Sequence, residues 1–320
     1  NCEVIVPSLT FIATVNPILY LGAKPIIFDV DQFHNIKIGD IINFIINETK
    51  FINRKTINKK SKKEVKVIII AHMWGRACNF LELIKLCKER NIYILEDAAE
   101  ALGSFVNTKS KGLKHCGSVG DIGCLSFNAN KIITTGSGGA IITNNRNLYL
   151  KAQYLANQAK DDTFNYIHHE CGYNYKMNGM TAALGISQLK RIKKKIAIKK
   201  RIYQRYLYNF KKQKNINILS FQEKSKINYW MNIISFKTFN LNQTYNLSQK
   251  LLKKNIETRR IWRPLNLQSY LKKFETYNII NSNKFYSNSL CIPSDECLSI
   301  SDIDKISNYI KKYYNEIYKN

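Results

Sequence analysis

Nothing in this sequence approaches the roughly twenty consecutive apolar residues that a membrane-crossing helix needs. The longest apolar run, VKVIIIA at residues 65–71, has the length of one buried strand. There is no Walker or dinucleotide glycine pattern, and no internal repeat. Cysteines are present, eight of them (Cys2, Cys78, Cys87, Cys116, Cys124, Cys171, Cys291 and Cys297), but no two form a Cys-x-x-Cys pair. That spacing argues against a zinc site. Cys87 and Cys124 sit inside apolar patterns and read as reduced core residues. Scattered, unpaired thiols in a chain of 320 residues suggest a reducing, cytoplasmic setting. His168-His169-Glu170 offers ligand types without ligand spacing and reads as surface loop. An initiator Met and a signal peptide are also missing. Asn1-Cys2-Glu3 runs straight into VIVPS, which has a strand pattern, so the expectation is a chain that starts inside a domain, with upstream residues missing.

Acidic residues are scarce. Asp and Glu number 23 against 50 Lys and Arg, a net charge of +27. Such an excess invites a nucleic-acid reading. The basic residues, however, come as short runs on loops and helix faces, as at residues 59–63 and 193–200. They are not interleaved with aromatics as a base-stacking platform requires. The crowding of Lys with Asn and Ile is what AT-rich codon usage produces. The charge therefore reads as solvated surface, and nucleic acid is not expected as a partner.

The first half alternates short apolar runs with helical patterns. Strands are expected at residues 3–6, 24–30, 65–71, 92–95, 122–128 and 139–143. Helices are expected at 14–21 and 79–89, the second with Leu81, Leu83, Ile84 and Leu86 at helical spacing. Strands separated by helices imply an α/β fold with a mainly parallel central sheet, flanked by helices. Residues 181–210 read as one long helix with a wet lysine face. A strand at 230–237, a helix at 247–254 and a terminal helix at 301–317, capped by Ser301, suit a smaller α+β domain. The expected division is residues 1–190 and 191–320, crossed by the long helix. Residues 50–63 read as a polar loop and a plausible site of disorder.

Chemistry gathers at the strand ends. Lys131, in SFNANKIITTGSGGAIIT, sits among small and apolar residues beside a Gly/Ser/Thr-rich turn. A lysine that loses hydration there deprotonates more readily and can attack a carbonyl. The plain alternative is a loop lysine with its tip in water. Asp97, closing the apolar strand of LEDAAE, is placed either to meet a ligand or to cap the next helix. Ser126, with neighbouring Asn side chains and turn amides, could hold a phosphate. Amine, carboxylate and phosphate cup are the three parts that a pyridoxal phosphate site needs.

Four runs, in order over nearly the whole chain, carry a resemblance: VPSLTFIATVNPILYLGAKPIIFDVD, EDAAEALGS, GDIGCLSFNANKIITTGSGGAIITNN and GYNYKMNGMTAALGISQL. They resemble the DegT/DnrJ/EryC1/StrS family of sugar aminotransferases, and the tail LCIPSDECLSISDIDKI resembles that family's closing segment. The resemblance implies the aspartate-aminotransferase type I fold, a homodimer and pyridoxal 5′-phosphate. Lys131 then matches the Schiff-base lysine and proton shuttle, and Asp97 the partner of the pyridine nitrogen. Glu100 matches a contact near the phenolic oxygen, Phe11 the aromatic stacked on the ring, and Ser126 a phosphate ligand. Asn174 matches the residue that reaches the partner subunit's phosphate.

The family's Gly/Ser-Thr-Ala segment, upstream of VPSLTF, is absent here, which implies weaker folding or cofactor binding. The run AKDDTFNYIHHECGYNYKMNGM resembles a branch acting on nucleotide-linked 4-keto-6-deoxy sugars in bacillosamine- and legionaminic-acid-like pathways. The expected reaction is transfer of an amino group from glutamate to such a sugar. Another keto sugar or a cyclitol remains an alternative acceptor, and a non-catalytic, basic nucleic-acid-binding remnant an alternative of another kind. Thr258-Arg259-Arg260-Ile261-Trp262 is read either as substrate-side or as a basic strand edge.

Overall fold

Runs of Val and Ile too short to make stable helices build the central sheet. The computed structural model describes residues 2–108, 112–223 and 225–319. Seven strands lie side by side in the order Gly139–Ile142, Ile122–Ser126, Tyr93–Asp97, Val65–Ala71, Glu3–Pro7, Lys24–Phe28 and Glu275–Tyr277. All neighbours pair in parallel except Gly139–Ile142, which runs antiparallel at one edge. Alternate side chains feed two cores. Ile5, Ile26, Phe28, Ile68 and Ile70 pack with Leu83 and Phe44 on one face. Val4, Val6, Ile27 and Ile69 pack with Ile18, Leu265 and Leu271 on the other. Burial on both faces is why these strands read as continuous apolar runs.

A second sheet of four antiparallel strands follows in the order Ile216–Ile218, Asn232–Phe236, Ser289–Ile292 and Arg259–Arg260. Helices Ile192–Phe210, Leu241–Leu252 and Ile300–Lys319 share one core with it, including Tyr206, Phe236, Leu247 and Ile310. The division expected at residue 190 is crossed by Glu275–Tyr277, which adds its strand to the large sheet. A third cluster, with Leu9, Trp74, Ile132, Trp230 and Ile261, joins the two parts.

Several local expectations need correction. Residues 181–210 form two helices, Gly179–Leu189 and Ile192–Phe210, not one. On the second, Lys199 is not on the wet face but buried, donating to the carbonyls of Ser294 (2.9 Å) and Trp230 (3.4 Å). Residues 50–63 are no disordered loop: Thr49–Ile52 and Lys55–Asn58 form a hairpin. The helix placed at 14–21 is a 3₁₀ turn, Ile12–Thr14, followed by the short helix Asn16–Tyr20. The helix placed at 247–254 begins earlier, at Leu241, where Asn240 and Gln243 form a capping box. Ser299, not Ser301, caps the last helix, exchanging bonds with Asp302. No helix among the described residues is long and apolar enough to cross a membrane. Cys87 is buried and Cys124 half-buried, both free thiols.

Candidate active site

Ala71 pairs with Asp97, so their strands end level, and Asp97 pairs with Cys124, two residues before the next strand ends at Ser126. Asp97 is half-buried there. Its Oδ2 accepts a hydrogen bond from the Thr14 hydroxyl at 2.6 Å, and its Oδ1 accepts from the Ala99 amide at 3.1 Å. Thr14 in turn contacts the Thr10 hydroxyl at 2.8 Å. These bonds fix the carboxylate's plane. They also tie it to the 3₁₀ turn that starts just after Phe11. The capping role left open for Asp97 is limited to one turn amide, that of Ala99.

Glu100 follows on the turn after this strand and is buried, at 7% exposure. Its Oε2 accepts the Trp74 amide at 2.7 Å, and its Oε1 lies 3.4 Å from Lys131 Nζ. Burial raises its pKa to about 7, against the opposing pull of Lys131. Glu100 is therefore poised between acid and carboxylate near neutral pH. The Lys131 side chain is 12% exposed, and its ammonium lies 4.7 Å from the centroid of the Trp230 ring. The amine is thus held between a carboxyl group and an indole, not in bulk water.

Trp74, Trp230 and Thr14 were not singled out in the sequence. Trp74 has a left-handed backbone (φ 58°) that nothing in the residue order signals. Its indole N–H donates to His34 Nδ1 at 3.1 Å, which holds it there. Trp230 lay concealed inside a strand candidate, and Thr14 inside a helix candidate.

Other expected residues take varied places. Phe11 is 51% exposed, with its ring 5.3 Å from that of Trp262, which lies 4.5 Å from Trp74. Of the 258–262 run, Trp262 is the member that joins this aromatic wall. Arg259 pairs with Glu257, and Arg260 donates to the carbonyls of Leu241 and Tyr286. Ser126 ends its strand half-buried, its hydroxyl accepting the Asn128 amide at 3.3 Å. Asn174 is exposed, in an isolated bridge with Asn157. His168 and Glu170 are exposed, as a surface loop requires, with Glu170 paired to Lys151.

Beneath the site, Glu96 is fully buried. Its Oε2 takes the ring N–H of His72 (2.8 Å) and the Gly117 amide (2.7 Å), and its Oε1 the amides of Val119 (2.7 Å) and Gly120 (2.6 Å). The other His72 nitrogen, Nδ1, accepts the Cys78 amide at 3.0 Å, so the ring proton sits on Nε2, toward Glu96.

An amine sheltered by an acid and an indole, that acid following three residues after an oriented carboxylate at a strand end, suits carbonyl and amine chemistry. Comparison with known proteins agrees. The profile of the DegT/DnrJ/EryC1/StrS aminotransferase family matches residues 1–311. The chain is 34% identical over 319 residues to a GDP-perosamine synthase of Escherichia coli O157:H7, covering 98% of this chain and 79% of that one. This chain belongs to the DegT/DnrJ/EryC1/StrS aminotransferase family. It is also 28% identical over 303 residues to the UDP-4-amino-4,6-dideoxy-N-acetyl-beta-L-altrosamine transaminase of Campylobacter jejuni subsp. jejuni (strain 81-176), covering 93% of this chain and 76% of that one. Among solved structures, a putative sugar aminotransferase from Streptococcus pneumoniae in its PLP-form superposes with a TM-score of 0.85. The match covers 99% of this chain and 81% of that one at 24% identity, and shows the shared fold.

The protein is thus an aminotransferase of type I fold, and its cofactor is pyridoxal 5′-phosphate. The donor set fits that group. Lys131 supplies an amine of limited exposure, and Asp97 an oriented anion. Glu100 supplies an acid held near its midpoint, and Phe11 a half-open aromatic face.

Proposed function

We propose that this aminotransferase moves an amino group from glutamate to the keto carbon of a nucleotide-linked 4-keto-6-deoxy sugar, for surface-polysaccharide or nonulosonic-acid synthesis. The observation that carries the reading is the Lys131 amine, 3.4 Å from buried Glu100 and 4.7 Å from the Trp230 ring, beside the strand that ends in Asp97. The acceptor class is supported by the relatives' names, which specify a GDP-linked perosamine in one and a UDP-linked 4-amino-4,6-dideoxy sugar in the other.

When bound, the cofactor supplies an aldehyde that takes up the amino group and a ring that accepts the electron pair freed at the donor's Cα. Lys131 would hold the aldehyde carbon, and its Nζ, once released, would carry the proton that leaves Cα. Asp97 would face the ring nitrogen and keep it protonated. Thr14 and the Ala99 amide keep that carboxylate in one orientation. Glu100 would sit by the phenolic oxygen, where a carboxyl group with a pKa of about 7 can either donate or accept. Phe11 would cover the ring, and Ser126 would bind the phosphate.

Asn174 would act in the partner subunit's site, which makes the working unit a homodimer. Its exposed position supports this, as do exposed apolar residues that follow it in the chain. Tyr175 is 76% exposed, Met180 84% and Ile186 59%, the last two on the helix Gly179–Leu189. The large part would bind the cofactor and the smaller one would close over the substrate. Free thiols fit a cytoplasmic location.

Cofactor trapping tests the reading. The protein is mixed with pyridoxal phosphate, reduced with borohydride and digested, and the modified lysine is found by mass spectrometry. Label concentrated on Lys131 is the expected result. Label spread over surface lysines of a folded protein would overturn the assignment. A product assay over a panel of keto sugars and cyclitols then separates the acceptors.

A further inference from the structure

The segment 228–231 passes directly behind Lys131 and is held with unusual care. Asn228 is fully buried. Its Nδ2 donates to the carbonyls of Glu100 (2.7 Å) and Leu102 (3.0 Å), its Oδ1 accepts the Trp230 amide (3.0 Å), and its own amide reaches Ser104 Oγ (2.9 Å). Tyr229 has a left-handed backbone, φ 56°. Two buried cations grip the next carbonyls. Lys199 donates to Trp230 O at 3.4 Å. Arg76 donates to Met231 O at 3.3 Å, and also to Leu219 O (2.8 Å) and Ser220 O (2.9 Å). Trp230 itself is 4% exposed. Its indole N–H donates to Asn130 O at 2.8 Å, the carbonyl immediately before Lys131.

A tryptophan that served only as core filling would need none of this. The combined restraints fix the indole so that its face is turned to Lys131 Nζ. The face of an indole attracts a cation, and more strongly where water is excluded, but gives little to a neutral amine. We propose that Trp230 is a positioning residue for Lys131: its ring holds the ammonium form beside Glu100 whenever the amine is not otherwise engaged. This rests on Lys131 being the reactive amine. It assigns the resting place of that amine between chemical steps, with its proton on board.

Other titratable groups border this pair. Glu100 Oε1 lies 3.4 Å from the amine, and Asp97 is close enough to act on Glu100. Arg76 and Cys291 are near Glu100 and each other, and burial keeps the Cys291 thiol neutral. Lys199 is occupied with carbonyls. None of these changes when the electron density of the Trp230 ring alone is altered, and the test exploits that.

The experiment uses the full chain without cofactor. Lys131 acetylation by isotope-coded acetic anhydride is followed by mass spectrometry across a pH series, with surface lysines as internal references. Wild type and Trp230→Leu are compared with a series of proteins carrying fluorinated tryptophan at position 230. Fluorination weakens the ring's attraction for cations while keeping its shape, so these proteins carry the test even if Trp230→Leu does not fold. Near neutral pH, Lys131 should react about five- to thirty-fold faster in Trp230→Leu. The fluorinated series should react progressively faster in the same way. An unchanged Lys131 profile in the fluorinated proteins would overturn the proposal, as would an increase shared equally by the reference lysines. Failure of the underlying reading would show separately, as borohydride trapping on a lysine other than Lys131.

Discussion

The Thr14 hydroxyl donates to Asp97 Oδ2 at 2.6 Å, across 83 residues of sequence, and so ties the turn beside Phe11 to the carboxylate at the end of the Tyr93–Asp97 strand. Two features of the proposed cofactor site are thereby made one rigid unit. A hydrogen bond to a charged acceptor contributes about 1.5–3 kcal/mol. Thr14→Val keeps the shape of the side chain and removes the donor. We expect it to fold, to retain cofactor, and to turn over about ten-fold more slowly. Asp97→Asn should also retain cofactor and lose most of its rate, because the negative charge opposite the ring nitrogen is gone. Cofactor content by absorbance and turnover by product assay check both. Near-normal turnover of Asp97→Asn would remove the role given to Asp97.

Lys131→Ala should abolish transamination and borohydride trapping together, since among the described residues no other lysine pairs with Glu100. The substitution should leave the fold in place, because Lys131 anchors no backbone group through its side chain. Substantial residual transamination in a folded Lys131→Ala protein would rule out the assignment.

Glu100 gives a pH signature of known sign. Its pKa in the folded protein is about 7, above its ordinary 4.5, and burial is the cause. Between those values the folded state binds a proton that the unfolded chain has released. The contribution to stability is therefore complete below about pH 4.5 and is lost as pH rises through about 7. Glu100→Gln cannot lose a proton. Its melting temperature relative to wild type should rise across this window and level off above it. Parallel melting curves across the window would show that Glu100 does not titrate as its surroundings dictate.

The parts of this arrangement that were legible in the sequence share a cause. The strands Val65–Ala71 and Tyr93–Asp97, the second read as residues 92–95, were legible because buried parallel strands are rich in apolar residues, and Asp97 and Lys131 drew notice as candidates because a charge beside an apolar run is conspicuous. The missed features depend on contacts between distant segments. Lys199 looked like one more lysine in KKKIAIKK, yet two carbonyls from separate loops bury it. The break between Gly179–Leu189 and Ile192–Phe210 carries no proline or glycine to announce it. Residues 50–63 looked like loop because their hairpin is polar and basic. Trp74 and Tyr229 adopt left-handed backbones that only tertiary packing enforces.

Arg76 binds the two parts of the protein together without a carboxylate partner within ion-pair distance among the described residues. Its guanidinium is spent on the carbonyls of Leu219, Ser220 and Met231, with Trp74 O at 3.5 Å. Arg76→Met fills most of the volume but strips these carbonyls of their donors inside the protein. Each such loss costs about 1–3 kcal/mol. We expect a loss of stability on the order of 3 kcal/mol in a denaturant titration, smaller than the sum because water can reach the relaxed site. A change within about 0.5 kcal/mol, the usual effect of a surface substitution, would mean that the contacts add little to stability.

Glu96 and Glu100 stand four residues apart and should respond to pH in opposite directions. Burial alone would raise the Glu96 pKa, but the His72 ring N–H and the amides of Gly117, Val119 and Gly120 outweigh it and lower the value below its ordinary 4.5. A carboxylate so held stabilises the fold above its unfolded pKa and ceases to do so as pH falls through the folded one. Glu96→Gln replaces an acceptor oxygen by an amide nitrogen that faces N–H donors. It should therefore cost about 3 kcal/mol near neutral pH and flatten the acid limb of the stability profile, where wild type loses this contribution. Denaturant titrations at neutral and acid pH measure both effects. If wild type and Glu96→Gln lost stability in parallel on acidification, the carboxylate would not be what fastens the 117–120 turn, and the strand Ile122–Ser126 that leads toward Lys131 would owe its position to packing alone.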